Sequence, residues 1–218
     1  MRTLTVGAVM TRDPYVVSPE AEFKDVAVLL AQREISAVPV VGDDGTLLGV
    51  VSEADLLPKE EYAGDQEPPS GFARSRTKAA WHKAGAVRAR ELMTAPAQTV
   101  DVGEPLPAVA RRLGGGGLRR LFVLENGKLV GVVARRDLLG VFLRPDEQIK
   151  ADVETEVFGK ALGAAPGCYS VTVHHGEVML LGRLEYRSSA AAAGSLTASV
   201  PGVVEVCNRL GYVWDDGR

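Results

Sequence analysis

The sequence predicts an α+β protein built from two β-α-β-β-α repeats about a pseudo-two-fold axis, followed by a smaller α+β domain. Three observations carry this expectation. Gly49-Val50-Val51-Ser52-Glu53-Ala54-Asp55-Leu56-Leu57 returns 82 residues later as Gly131-Val132-Val133-Ala134-Arg135-Arg136-Asp137-Leu138-Leu139. The pairs Met10-Thr11 and Met93-Thr94, and the residues Ser18 and Asp101, stand 83 apart. The one-residue difference falls in a turn, where Gly42-Asp43-Asp44-Gly45 is replaced by Glu125-Asn126-Gly127. A repeat whose length varies only at a hairpin turn is a duplicated folding unit.

The first repeat spans residues 5–58. Phe23, Val26, Leu29 and Leu30 recur at helical spacing after Ser18-Pro19, which reads as an N-cap with proline at the first helical position. Val38-Pro39-Val40-Val41 and Leu47-Leu48-Gly49-Val50-Val51 read as two short buried strands, and a second helix begins near Asp55. Alone, such a unit is too small to bury all its apolar faces, so its twin is the expected partner.

Residues 59–86 form a charged insert. Glu60, Glu61, Asp65 and Glu67 precede the breaker Pro68-Pro69-Ser70-Gly71, and Arg74, Arg76, Lys78, Lys83, Arg88 and Arg90 then follow without an acid among them. A solvated loop with a short surface helix is expected, Trp81 anchoring it to the body; the sharper alternative is a basic arm reaching a ligand phosphate.

The second repeat spans residues 87–144. Asp101-Val102-Gly103-Glu104 reads as a capping box, Val109, Ala110 and Leu113 as a helical stripe, and Gly114 to Gly117 as a glycine C-cap. Leu121-Phe122-Val123-Leu124, Asn126-Gly127 and Leu129-Val130-Gly131-Val132-Val133 read as a hairpin. From residue 146 to 213 a third domain is expected. Ile149, Val153, Val157 and Leu162 mark a helix that ends near Pro166-Gly167. A hairpin turns at Gly176, an alanine-rich helix follows Ser188-Ser189, and Val203-Val204-Glu205-Val206 gives a last strand after Pro201-Gly202.

Composition narrows the function. The 218 residues are 46% hydrophobic with a net charge of −3, which favours neither nucleic acid nor an anionic membrane as an overall partner. No segment approaches the roughly 20 apolar residues of a membrane span, and Met1-Arg2-Thr3-Leu4-Thr5 lacks the apolar run of a signal peptide. Cys168 and Cys207 make no disulfide framework. A cytoplasmic location is the expectation. His174-His175 reads as a solvated pair rather than a metal site, because too few further ligands are present. No constellation of acid, base or nucleophile emerges, so an enzyme is not expected.

The repeats resemble a tandem pair of CBS domains, paired as a Bateman module, on the strength of Met10-Thr11, Val38-Pro39-Val40-Val41, Gly49 to Asp55 and their second copies. The third domain resembles a BON domain through Gly176-Glu177-Val178-Met179-Leu180-Leu181-Gly182 and Val200 to Leu210. The first resemblance implies a regulatory sensor that takes an adenosyl ligand (AMP, ADP, ATP or S-adenosylmethionine) in the clefts between repeats and requires no other cofactor. It implies Asp55 and Asp137 on ribose hydroxyls, Ser52 near phosphate, and the segments Ala37-Val38-Pro39 and Arg120-Leu121-Phe122 along the adenine slot. It also implies a homodimer. The second resemblance implies contact with phospholipid or a protein partner, which leaves a structural adaptor as the alternative to a sensor.

Elementary chemistry is compatible with these roles. A carboxylate accepts both hydroxyl protons of a diol, and a helix start offers free N–H groups to phosphate. Equally, Ser52-x-x-Asp55 is a cap-like pattern in its own right. The two copies differ. Ala134 removes a hydroxyl worth about 0.5–1.5 kcal/mol, and Phe122 replaces Pro39. Arg119, Arg120 and Arg135 stand where the first copy has Ser36, Ala37 and Glu53. Each charge-assisted phosphate contact contributes about 1.5–3 kcal/mol. Two unequal sites are therefore expected, the arginine-rich one preferring the more phosphorylated ligand. The arginines serve either their own motif or, in a face-to-face pair, the neighbouring cleft.

Overall fold

The computed structural model describes residues 4–64, 74–115 and 117–217. The acidic residues Asp65 and Glu67, the Pro68-Pro69-Ser70-Gly71 breaker and Gly116 lie outside them. Met10–Ala134 form one compact unit, and the residues up to Val9 form another with Arg135 onward.

In the first unit, β1 (Thr11–Arg12), α1 (Phe23–Gln32), β2 (Ala37–Val41), β3 (Leu47–Ser52) and α2 (Glu53–Leu56) make the first repeat. Strands β2 and β3 pair antiparallel from Ala37↔Ser52 to Val41↔Leu47, with an irregularity at Val40/Val41 beside the longer turn. Val26, Leu30, Val38, Val40 and Val51 form its core. That core is completed by Ala86, Ala89 and Leu92, the last two on α5 (Ala89–Leu92), which leads into the second repeat. The missing partner surface thus comes from the twin.

Helix α1 begins later than Ser18-Pro19 suggested. Its N-cap is Glu22. Ser18-Pro19 instead opens a turn, closed by the Ala21 N–H donating to the Ser18 carbonyl at 3.1 Å. The intervening backbone is taken by the second repeat's leader: the Phe23 N–H reaches the Val87 carbonyl at 2.8 Å and the Ala89 N–H reaches Ala21 at 2.9 Å. Backbone groups committed to a neighbouring segment cannot begin a helix.

The second repeat comprises β4 (Thr99–Asp101), α6 (Leu106–Gly115), β5 (Arg120–Glu125) and β6 (Lys128–Ala134), with β1 joining its sheet in the order β1-β6-β5-β4. Asn126 and Gly127 take φ of 51° and 79°, as the tight hairpin requires. The expected capping box resolves differently: Asp101 Oδ1 accepts the Gly103 N–H at 2.8 Å, a local turn, and the helix starts at Leu106. Gly114 and Gly115 are still helical, and Gly117 has a φ of 67°, the left-handed geometry that glycine serves at a helix end.

Between the repeats lie α3 (Pro58–Glu61) and α4 (Ser75–Gly85). The Trp81 ring on α4 meets Tyr62 edge-on at 5.6 Å, so the contact falls within the insert rather than onto the body of the repeats. Arg88 and Arg90 both pair with Glu20 on the surface.

The second unit holds α7 (Arg135–Leu139), α8 (Asp146–Asp152) continuing as a π-helix over Val153–Ala161, β7 (Tyr169–His174), β8 (Glu177–Tyr186), α9 (Arg187–Ala198) and β9 (Glu205–Trp214). Strand β8 is central, antiparallel to β7 and parallel to β9. Ile149, Val153, Val157 and Phe158 pack with Val171, Val178, Leu180 and Ala193, and Phe158 stacks on Tyr169 at 3.9 Å. Strand β9 runs eight residues beyond Val206, further than its apolar run indicated, because pairing with β8 continues to Tyr186↔Trp214.

Candidate functional site

The repeats clasp each other through their Met-Thr pairs. Thr11 pairs with Val132 and Arg12 with Gly131. On the other side Thr94 and Val50 exchange backbone hydrogen bonds of 2.8 and 3.1 Å. The motif glycines make this possible. A Cβ on Gly131 would stand 2.7 Å from the Met10 sulfur and 2.9 Å from the Thr11 carbonyl oxygen. On Gly49 it would stand 2.8 Å from the Met93 sulfur and 3.0 Å from the Thr94 oxygen. Each repeat's leader therefore lies against the other repeat's motif strand.

That swap builds a pocket of about 320 Å³ from both repeats. The first supplies Ser36 and Ala37 before and on β2, and Val50, Ser52, Glu53 and Ala54 around the start of α2; the second supplies Gln98, Leu118, Arg119, Arg120 and Phe122. The Arg120 guanidinium donates to the Ser36 hydroxyl and to the Ala37 carbonyl at 3.4 Å. Burial, with Arg119 beside it, pulls Arg120 below its usual value, and Glu53 opposes the shift. Guanidinium remains charged in proteins. Two cations at the rim of an apolar slot favour an anion there.

A second pocket, of about 180 Å³, is lined by Thr11, Asp13, Pro14, Tyr15, Ile35, Ala37, Pro39, Arg120, Phe122 and Val132. Its lining mirrors the first at the interval of 83: Tyr15 stands for Gln98, Ile35 for Leu118, Ala37 for Arg120 and Pro39 for Phe122. Arg33 lies 4.5 Å from the centre of the Tyr15 ring. Ala37, Arg120 and Phe122 border both pockets.

Of the residues expected to hold a nucleotide, Ala37, Ser52, Arg119 and Arg120 meet in the larger pocket, and Pro39 faces the smaller. Arg119 therefore lines the cleft of the first motif, while Arg120 borders both that cleft and the smaller pocket beside Val132 of its own motif. Val38 and Leu121 are 0% exposed, because strand alternation turns them into the core while their neighbours face the cleft. Asp55 closes the capping box of α2: Oδ2 accepts from the Ser52 N–H at 2.7 Å and from its hydroxyl at 2.6 Å. Its Oδ1 accepts from Lys83 and, at 3.2 Å, from the Thr94 hydroxyl. Asp137 and Arg135 lie in the first turn of α7, in the second unit. Sequence reasoning missed Gln98, Tyr15 and Lys83. Carrying the interval of 83 along the whole chain exposes the first two as a pair; Lys83 sat unmarked within a basic run.

In the second unit, the His175 and Gly176 N–H groups donate to Asp146 at 2.7 and 2.9 Å. His174 and His175 meet edge-on, so the pair belongs to the turn. No helix among the described residues is long and apolar enough to cross a membrane.

Two clasped repeats with a shared cleft define a paired-repeat module. The CBS domain family model matches residues 6–60 and 89–144, more than half of the chain, and the chain belongs to that family. It is 29% identical over 163 residues to CBSX2, a chloroplastic CBS domain-containing protein of Arabidopsis thaliana, covering 69% of this chain and 66% of that protein. The crystal structure of CBSX2 in complex with AMP aligns with a TM-score of 0.56 and 31% identity, covering 64% of this chain and 96% of that one. The CBS domain pair of protein MJ0100, crystallised with 5′-methylthioadenosine and S-adenosyl-L-methionine, shares the fold at 18% identity and a TM-score of 0.50 over 65% of this chain and 97% of that one. Inosine-5′-monophosphate dehydrogenase of Thermoplasma acidophilum is 27% identical over 156 residues, which is 71% of this chain but only 27% of that enzyme. The chain spans just under two thirds of CBSX2.

Proposed function

We propose that this chain is a non-catalytic regulatory sensor that binds an adenine nucleotide, AMP first, in the cleft shared by its CBS repeats. The observation that carries the reading is the larger pocket: Ala37, Val50 and Phe122 offer an apolar slot, and Arg119 and Arg120 offer an anion-binding rim. The AMP-bound CBSX2 structure, at 31% identity, supports the choice of ligand. Asp55 and Asp137 take the ribose and Ser52 approaches the phosphate, as the family resemblance implies. The smaller pocket, whose lining has Arg120 and Asp13 but not Arg119, favours an adenosyl ligand of lower charge, such as S-adenosylmethionine.

Occupancy is relayed to the C-terminal unit, read as a BON domain, or to a protein partner, and the repeats assemble as a homodimer in the cytoplasm. A second reading, an adaptor attached to lipid or protein through the C-terminal unit, draws support from Tyr212, Val213 and Trp214, which are 40%, 50% and 64% exposed on β9.

Calorimetry with AMP, ADP, ATP and S-adenosylmethionine tests the sensor reading. Unequal binding at two sites is expected. Silence across the panel, together with flotation on phospholipid vesicles, would replace the sensor with the adaptor.

A further inference from the structure

The Asp55 carboxylate carries four donors. Two, the N–H and hydroxyl of Ser52, cap its own helix. The other two, the Lys83 ammonium and the Thr94 hydroxyl, converge on Oδ1, and Lys83 also donates to Thr94 Oγ1 at 2.9 Å. An ionised carboxylate offers about four acceptor positions, so none remains for the two hydroxyls of a ribose. Thr94 is held in place by its backbone pairing with Val50. Lys83 is held differently. It rides on α4, which has no buried residue and whose Trp81 meets Tyr62 of the same insert edge-on. An element with so little buried surface detaches at low cost. The ion pair itself is well shielded, its side chains 18% and 12% exposed.

We propose that α4 is a latch on Asp55, the residue after the pocket-lining Ala54: Lys83 fills an acceptor position that a ligand diol needs, so adenylate binding and docking of α4 exclude each other. This inference rests on the nucleotide reading above. The latch lowers apparent affinity by the fraction of molecules in which it is open. By the same linkage, a bound adenylate frees α4, an exposed basic helix that carries Arg76, Lys78 and Lys83. The insert between the repeats then becomes the segment that reports occupancy.

The test is calorimetry with AMP on the full chain for wild type, Lys83→Met and Lys83→Arg, with amide hydrogen exchange followed across residues 75–85. Lys83→Met is expected to tighten AMP about tenfold by removing the competitor, while Lys83→Arg keeps the charge and stays near wild type. Saturating AMP is expected to speed exchange across α4 in wild type, and Lys83→Met to exchange fast without ligand. Equal AMP affinity in wild type and Lys83→Met, or exchange in α4 slowed by AMP, would overturn the latch and leave the nucleotide reading standing. AMP binding to neither protein would overturn both.

Discussion

Arg120 is the residue on which both pockets converge. It donates to Ser36 and Ala37 from the opposite repeat and lines each cleft. Its alanine variant is expected to weaken AMP by roughly ten- to a hundredfold, the loss of one charge-assisted contact of about 1.5–3 kcal/mol. Titration calorimetry reads this directly, and an unchanged affinity would remove Arg120 from the site. Asp146 acts at the same scale in the other unit. The Gly176 N–H, and after it the His175 N–H, hold its carboxyl below the usual range. A depressed carboxyl stabilises the fold above its ordinary value and loses that contribution as pH falls through the folded value. Amide protection of His175 and Gly176 is therefore expected to persist at neutral pH and fade below about pH 4. Asp146→Asn, followed by NMR exchange, is expected to fade at every pH.

At the scale of elements, the glycine of each motif decides whether the leader of the other repeat can dock. Gly131→Ala would push a methyl group onto the Met10 sulfur and the Thr11 carbonyl. The sulfur can swing aside, but the carbonyl belongs to β1 and cannot move without breaking its pairing with β6. A destabilisation of about 1–3 kcal/mol follows, the range for overpacked sites, measurable by urea unfolding. A neutral result would mean that β1 docks more loosely than its register indicates. The start of α1 shows the same coupling. Ser18-Pro19 carries a helix-start signal, yet the leader around Val87–Ala89 takes the backbone groups ahead of Phe23 and delays the helix.

For the molecule as a whole, ligand binding to the folded state alone raises stability by mass action. AMP at a hundred times its dissociation constant is expected to add about 2.7 kcal/mol, seen as an upward thermal shift that Arg120→Ala cuts to about 0.4–1.4 kcal/mol at the same AMP concentration. A shift of equal size with inorganic phosphate would reassign the cleft to anions in general. Much of the design was legible beforehand. The duplication, both hairpins of the repeats, the Asn126-Gly127 turn and the helix-hairpin-helix-strand order of the C-terminal unit all follow from spacing and turn chemistry. The composition of the cleft was not, because Arg119 lies beside its own motif in the chain yet lines the cleft of the other, and Arg120 borders both pockets.

Local order of this kind is what the amino-acid sequence determines by itself: periodicity selects helix or strand, glycine and asparagine select turns, and the 82-residue recurrence selects two copies of one unit. Only the tertiary structure decided which side chains share a pocket and what Asp55 holds. A pseudo-two-fold swap brings together residues from opposite repeats, and a helix in the insert presents Lys83 to a carboxylate 28 positions away. Such pairings are set by how surfaces fit when buried, and no short-range pattern encodes them.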